Sequence, residues 1–436
     1  MARARGANAR MALAVEQTYG VSPTTGYRQY AFASSSLGED APLIGGQLLG
    51  RGREPGEPTR DASTAEGQIV VPVCARQFGT WLMAALGAPT SVAGKAAKGS
   101  ITFSANPANN GTITIGAQVF TFTTSAPTAS QIKIEPTLAA TLANAVRVLN
   151  ASVVAAVAGA TYRQNDRGNA IEIEHDTLGV AGNALALEAS TTPASNATVS
   201  GATLTGGAAN GGYRHKYMSG AAILPSLSIE QAFPEVPSYG MNFGCKVGTL
   251  GIQVQRGGNL TANLGMVAQG EDTASASIIT DTVEAELAET RFAQASATVR
   301  RGGVPIADLT GYQITINNGA DPVPGIRGDG RVTGMDEGDF SIALTLNVRF
   351  SGPELHKLAE DGEPCEVEIC WTHPGTGFAL KIIAHRVFLP KSKRPVTGPA
   401  GIQVDYNCIA AKDPVLGRSL TVLLDNDQPG TVYATS

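Results

Sequence analysis

The chain has 436 residues, enough for two domains and a sizeable core, and its 51 Gly, 24 Pro, 16% charged and 6% aromatic residues favour short strands joined by many turns over long helices. A formal net charge of −5 argues against a protein that wraps nucleic acid, because such binding rests on Lys and Arg neutralising phosphates. The five cysteines, Cys74, Cys245, Cys365, Cys370 and Cys408, are too sparse for a disulfide scaffold and read as reduced thiols of a cytoplasmic product, while no run of about 18 apolar residues is present to span a membrane.

From the N-terminus, MARARGANARMALAVEQ is Arg-rich with no secretory apolar stretch behind it, and reads as a mobile basic arm that orders on assembly. Strands are expected over 28–34 and 68–73, followed by a helix over 75–86. In that helix Phe78, Leu82, Ala85 and Leu86 share a face, and Gly87 with Pro89 stops it. The intervening GRGREPGEPTRDASTAEG, residues 50–67, mixes Pro, Gly and charges that oppose any regular element. It is either a solvated tip or an interaction arm, and its Arg51, Arg53, Glu54, Glu57, Arg60 and Asp61 make it the candidate contact between subunits.

Residues 99–207 have a different texture, rich in Ala, Thr, Asn and Ser, and are bracketed by SVAGKAAKG and VSGATLTGGAANGG, which read as soft linkers. Within them a hairpin is expected from 112–115 and 118–123 around Gly116. A helix over 137–150 follows, with Leu138, Leu142, Val146 and Leu149 on one face, and then strands over 171–175 and 184–188. The expectation is a small α+β domain at 99–207 inserted into a discontinuous domain of residues 1–95 and 212–436.

The remainder alternates most clearly. Ile342, Leu344, Leu346, Val348 and Phe350 interleave with Ser341, Ala343, Thr345, Asn347 and Arg349, the period of a strand with one core face and one wet face. Leu250, Ile252 and Val254, Tyr312, Ile314 and Ile316, Val367, Ile369 and Trp371, and Leu420, Val422 and Leu424 repeat it, with a short helix over 353–360.

No catalytic pattern emerges. Cys365, Cys370, His373 and His385 fit no ordinary zinc spacing, and alternation puts the two cysteines on opposite strand faces. The glycines of GIRGDGRVTG lack the spacing of a phosphate loop and read as a turn. The acidic run Asp336, Glu337 and Asp339 would suit a carbohydrate-active enzyme only with a paired motif that is missing, and more often marks a solvated turn. No metal and no cofactor is expected.

The order of these signals resembles that of siphophage tail tube proteins. The likeness is carried by VEQTYGVSP, FASSSLG and QIVVPVCARQFGTWLMAALGAPT before the insert. After it come YRHKYMSGAAILPSLSIEQAF, GCKVGTLGIQVQRGG, LTGYQITINNG, GMDEGDFSIALTLNVRF and GIQVDYNCIAAKDPVLGRSLTVLLDN, while GVAGNALAL resembles small modules inserted in phage tail proteins. The resemblance implies a mainly β protein: a tail-tube β-sandwich or barrel-like fold with a flanking α-helix, plus the inserted α+β domain. It further implies a homo-hexameric ring, stacked on copies of itself into a hollow tail tube through which double-stranded DNA passes without being gripped. The tape measure protein, the tail terminator and the distal tail protein are the implied partners, with no membrane anchor, in a virion made in the host bacterial cytoplasm. Gln253, Gln255, Thr345 and Asn347 are candidates to line the lumen. A distal tail or baseplate ring of the same fold is the alternative.

Overall fold

A computed structural model describes residues 3–45, 53–54, 56–306, 308–396, 398–399 and 401–434. The protein is mainly β, built from two antiparallel sheets packed face to face over one large apolar core.

The first sheet runs, edge to edge, through strands Thr64–Pro72, Thr261–Ala268, the long Ser238–Val254, Leu309–Asn317, Ser341–Arg349 and Gln403–Ala410. Burial alternates along each member: in 341–349 Ile342, Leu344, Leu346 and Val348 are buried while their neighbours are partly or fully exposed. The second sheet contains Cys365–Thr372, Ala379–Phe388, Leu420–Asn426, Ala208–Met218 and the first half of Thr90–Phe103. The sheets join at a corner where Val387 and Phe388 pair with Ala410 and Ile409. Tyr312 of the first and Trp371 of the second meet in the core with ring centroids 6.3 Å apart.

Helix Phe78–Leu86 is buried along its whole length, so it has no wet face at all. Gly87 ends it at φ +89°, a backbone conformation that disfavours any side chain, with its N–H on the Met83 carbonyl. The helix is held by side-chain bonds to its backbone, Tyr217 Oη donating to the Gly79 carbonyl at 2.9 Å and Asn318 Nδ2 to that of Ala85 at 3.0 Å. Tyr433 closes over its start, Oη donating to the Arg76 carbonyl.

Several expectations need correction. The N-terminal segment is not a mobile arm from residue 10 onward: Arg10–Val15 is a largely buried strand, antiparallel to Leu227–Phe233 with Leu13 opposite Ile229. MALAV is a short apolar run of the kind that periodicity alone cannot assign. The 28–34 strand is two fragments, Arg28–Gln29 and Ser34–Ser35. The charged 50–67 segment does carry regular structure: Thr59–Arg60 pairs with Leu43–Ile44 as a narrow ribbon, and the long strand begins already at Thr64. The 184–188 strand is displaced to Leu187–Ala189, behind a 3-10 turn Val180–Ala184.

The linker reading also fails. Residues 90–103 form one continuous strand that pairs with 208–218 near its start and with Ala170–Leu178 near its end. Backbone pairing on both sides stiffens a composition that would be floppy in isolation. Beyond it, a second core gathers Phe103, Phe122, Tyr162, Ile173 and Leu204. It is covered by the amphipathic helix Leu138–Asn150, whose Thr137 hydroxyl caps the Ala140 N–H. The hairpin Thr112–Ile115 and Gln118–Thr123 turns on Gly116, at φ +63°.

Candidate functional site

Every side chain that leaves the core of the first sheet on its other side shares one broad face. Because the strands are in register, its residues fall in rows. One row reads Gln253, Gln313, Thr345 and Asn407, and the next Gly311, Asn347 and Asp405, with Gln255 just past the end of its strand. Neighbouring side chains satisfy one another: Thr345 Oγ1 donates to Asn407 Oδ1 at 3.0 Å, Asn347 Nδ2 to Asp405 Oδ1 at 2.8 Å and Asn263 Nδ2 to Gln68 Oε1 at 3.2 Å. Of the four expected polar residues, Gln253, Thr345 and Asn347 are thus brought together on paired strands, while Gln255 lies one residue past its strand with its N–H on Gln294 Oε1 at 2.8 Å. Gln313, Asn407 and Asn263 were not singled out from sequence. The alternation Gln403, Asp405, Asn407 against Val404, Tyr406, Cys408 was the available signal for part of them.

At one end of this sheet stands the ribbon of Leu43–Ile44 and Thr59–Arg60. Leu43 and Ile44 on it are 65% and 49% exposed, an unusual pair for an extension with no core of its own. Its base is tied down: Arg331 donates to Glu39 with Nη2 to Oε2 at 2.7 Å and to Asp272 at 3.1 Å, and Ser63 N–H bonds the Gly330 carbonyl. Burial pushes the Glu39 carboxyl up, but the Arg331 hydrogen bond and charge, with other donors, hold it below its ordinary value. Arg53, Glu54, Glu57, Arg60 and Asp61 form no ion pair with any described residue, and Arg51 lies outside the described residues.

The second sheet's outer face is covered by residues of 99–207 through a buried ionic network. Glu174 receives Lys381 Nζ at 2.7 Å and Arg214 Nη2 at 2.6 Å, with Lys98 and Arg163 at 3.7 and 3.8 Å. Arg163 also grips Glu368, and Arg214 grips Asp425. Desolvation raises the Glu174 carboxyl, and the four cations outweigh it, holding it well below the usual range. No sequence signal pointed here, since the partners are far apart in the chain.

The residues considered for chemistry do other work. Cys365 packs against the main core while Cys370 sits on the opposite face beside Thr372, and all five cysteines are unpaired. Among the described residues no cluster of His, Cys, Asp or Glu is placed to hold a metal ion. Glu337 of the acidic run is engaged by Lys246 and by the Leu224 N–H, a structural role. Asp336 lies in a two-stranded ribbon opposite Asp321. No described helix is long and apolar enough to cross a membrane.

The fold is thus a two-sheet mainly β one, with a broad polar face on the first sheet and a buried ionic network tying residues 99–207 to the second. The family model described as phage tail tube protein matches residues 6–410, and the chain belongs to that family. It is a structural subunit of the tail tube, a component of the virion tail. No curated protein matches the sequence.

Proposed function

We propose that the subunit closes into hexameric rings whose first sheets join edge to edge around a lumen, and that the rings stack into the conduit for DNA ejection. The observation that carries this reading is the row Gln253, Gln313, Thr345, Asn407, polar and without a single charge across four strands. A conduit must not hold its cargo. Each Lys or Arg contact to phosphate would add counterion-release affinity, summed over the whole length of the tube. The lumen is therefore neutral to acidic, with Gln253, Gln255, Thr345 and Asn347 in its lining.

Two features support the ring. Strand 403–410 has an outer edge that, among the described residues, pairs with another strand only at Ile409 and Ala410. An open edge is an aggregation site unless a neighbour covers it, and ring closure does so. Residues 99–207 cover the sheet opposite the polar face, which suits a decoration on the outside of the tube. The 50–67 segment, with Arg51, Arg53, Glu54, Glu57, Arg60 and Asp61, makes contacts between rings. The tube ends meet the tape measure protein inside, and the terminator and distal tail proteins at the rims.

Electron microscopy of the purified protein tests the proposal. Long tubes or stacking rings are expected. A single closed ring that never stacks would favour a distal tail or baseplate component instead, and failure to form any ring would overturn the reading.

A further inference from the structure

The strands of the first sheet give it two distinct ends. The ribbon rises where strand 64–72 begins, which register places beside Ala268, Asn317 and Ser341. At the far end, where strand 238–254 finishes and strand 309–317 begins, a groove of about 1020 Å³ opens between the first sheet and residues 139–168 of the insert. Its floor is apolar and incompletely covered: Ile306, Leu309, Phe350 and Leu355 are only half-buried against the core. Its charged lining comprises Arg167, Arg256, Arg301 and Arg349 against Asp166, Asp308 and Glu354. None of the four arginines makes an ion pair with a described residue, whereas Asp166 lies 3.7 Å from Arg300.

The ribbon carries the complement. It exposes Leu43 and Ile44, and from Glu39 to Glu66, both included, the sequence has six acids against Arg51, Arg53 and Arg60. Among those acids Asp40, Glu54, Glu57 and Asp61 have no ionic partner among the described residues. An apolar pair in a segment with an excess of acids, although Arg60 stands opposite Leu43, and an apolar groove with an excess of one arginine over its acids make two unlike patches at opposite ends of the sheet. Unlike patches pair head to tail, and repetition of that contact generates an open stack.

We propose that the groove between the first sheet and the insert receives the Leu43–Ile44 ribbon of a second copy of this chain, in the next ring along the tube. The inference rests on the tube reading and adds the receptor to it. The insert, one wall of that groove, is then a participant in stacking. Leu43 and Ile44 supply buried apolar area, and the charges set orientation and encounter rate.

The test uses two variants of the full chain, Leu43→Asp with Ile44→Asp, and Arg256→Glu with Arg349→Glu. All four positions are exposed, so both variants should keep the wild-type circular dichroism and melting temperature. Each alone should form rings that do not stack. Mixed in equal amounts, they should give stacks of two rings and stop there, because the first variant retains a working groove and the second a working ribbon. Tubes from either single variant would overturn the proposal, as would loss of rings by either, which would put the contact around the ring. A mixture that stays as single rings would also overturn it. If the wild-type chain forms neither rings nor tubes, the tube reading itself fails, a separate outcome.

Discussion

Arg163 Nε donates to Glu368 Oε1 at 2.6 Å across the seam between the insert and the second sheet, with the two side chains 11% and 6% exposed. The pair joins residues 205 positions apart in the chain. Removing one member of such a pair strands a buried charge, whereas removing both with apolar replacement is tolerated. Arg163→Met is therefore expected to lower unfolding free energy by about 3–5 kcal/mol, and Arg163→Met with Glu368→Met to recover most of it. Urea denaturation of the three proteins decides the matter. A loss within about 0.5 kcal/mol for the single variant, the range of ordinary surface changes, would show the seam to be unimportant.

The same seam sets an acid limit. Burial works against the Glu174 and Glu368 carboxylates, and their cationic neighbours, Lys381 first for Glu174 and Arg163 first for Glu368, outweigh it and depress both folded-state values. A depressed carboxylate contributes stability that is present above its unfolded value, about 4.3 for Glu, and lost as pH falls through the folded value. The melting temperature should hold from pH 7 to about 5 and then fall. In Glu174→Gln it should start lower, with a shallower acid limb. An unchanged limb would assign acid sensitivity to other pairs, such as Glu39 with Arg331.

What the sequence made legible follows from whether side chains or backbone fixed an element. Strand 341–349 was readable because it has one dry face and one wet face, so burial and composition alternate together. Helix 78–86 was located by Phe78, Leu82 and Gly87, although its full burial left no polar face to sharpen the period. Strand 90–103 was unreadable because GKAAKG is held by ladders to distant strands and not by its own side chains. The polar face was visible one strand at a time, as Gln253 or as Thr345. That these stand in one row with Gln313 and Asn407 depended on register, which a single sequence does not print.

The neutrality of that row is itself testable. Gln313, Thr345 and Asn407 lie on the solvent side of the sheet, so replacing all three by Lys should leave the fold intact. Tubes of this variant should retain double-stranded DNA in low salt and release it as salt rises, because each neutralised phosphate steepens the salt dependence by about 0.9 in log–log slope. Wild-type tubes should retain none. Equal retention by both would mean that the face does not line the conduit.

Removal of the insert requires attention to the strands that carry it. Joining Val92 directly to Tyr213 would leave no residues for a turn, since Ala93 stands opposite Tyr213 and Val92 opposite Arg214. An Asn-Gly pair between Ala93 and Tyr213 supplies the two-residue hairpin that suits adjacent antiparallel strands. Deletion also takes away Glu174 and Arg163, but Glu368 and Lys381 then face water, where their charges are solvated and no buried ion is stranded. The shortened chain should therefore fold with the main core intact, because Phe103, Tyr162 and the other buried residues of the insert belong to a separate cluster. Rings of unchanged inner diameter and smaller outer diameter are expected in electron micrographs, since the insert sits on the sheet opposite the polar face. Stacking should weaken, because one wall of the groove that takes the neighbouring ribbon is gone. Tubes as long and as salt-resistant as the wild type would make the insert pure decoration. A shortened chain that folds but closes no ring would instead put the insert between neighbours within the ring, and the outer placement would be wrong.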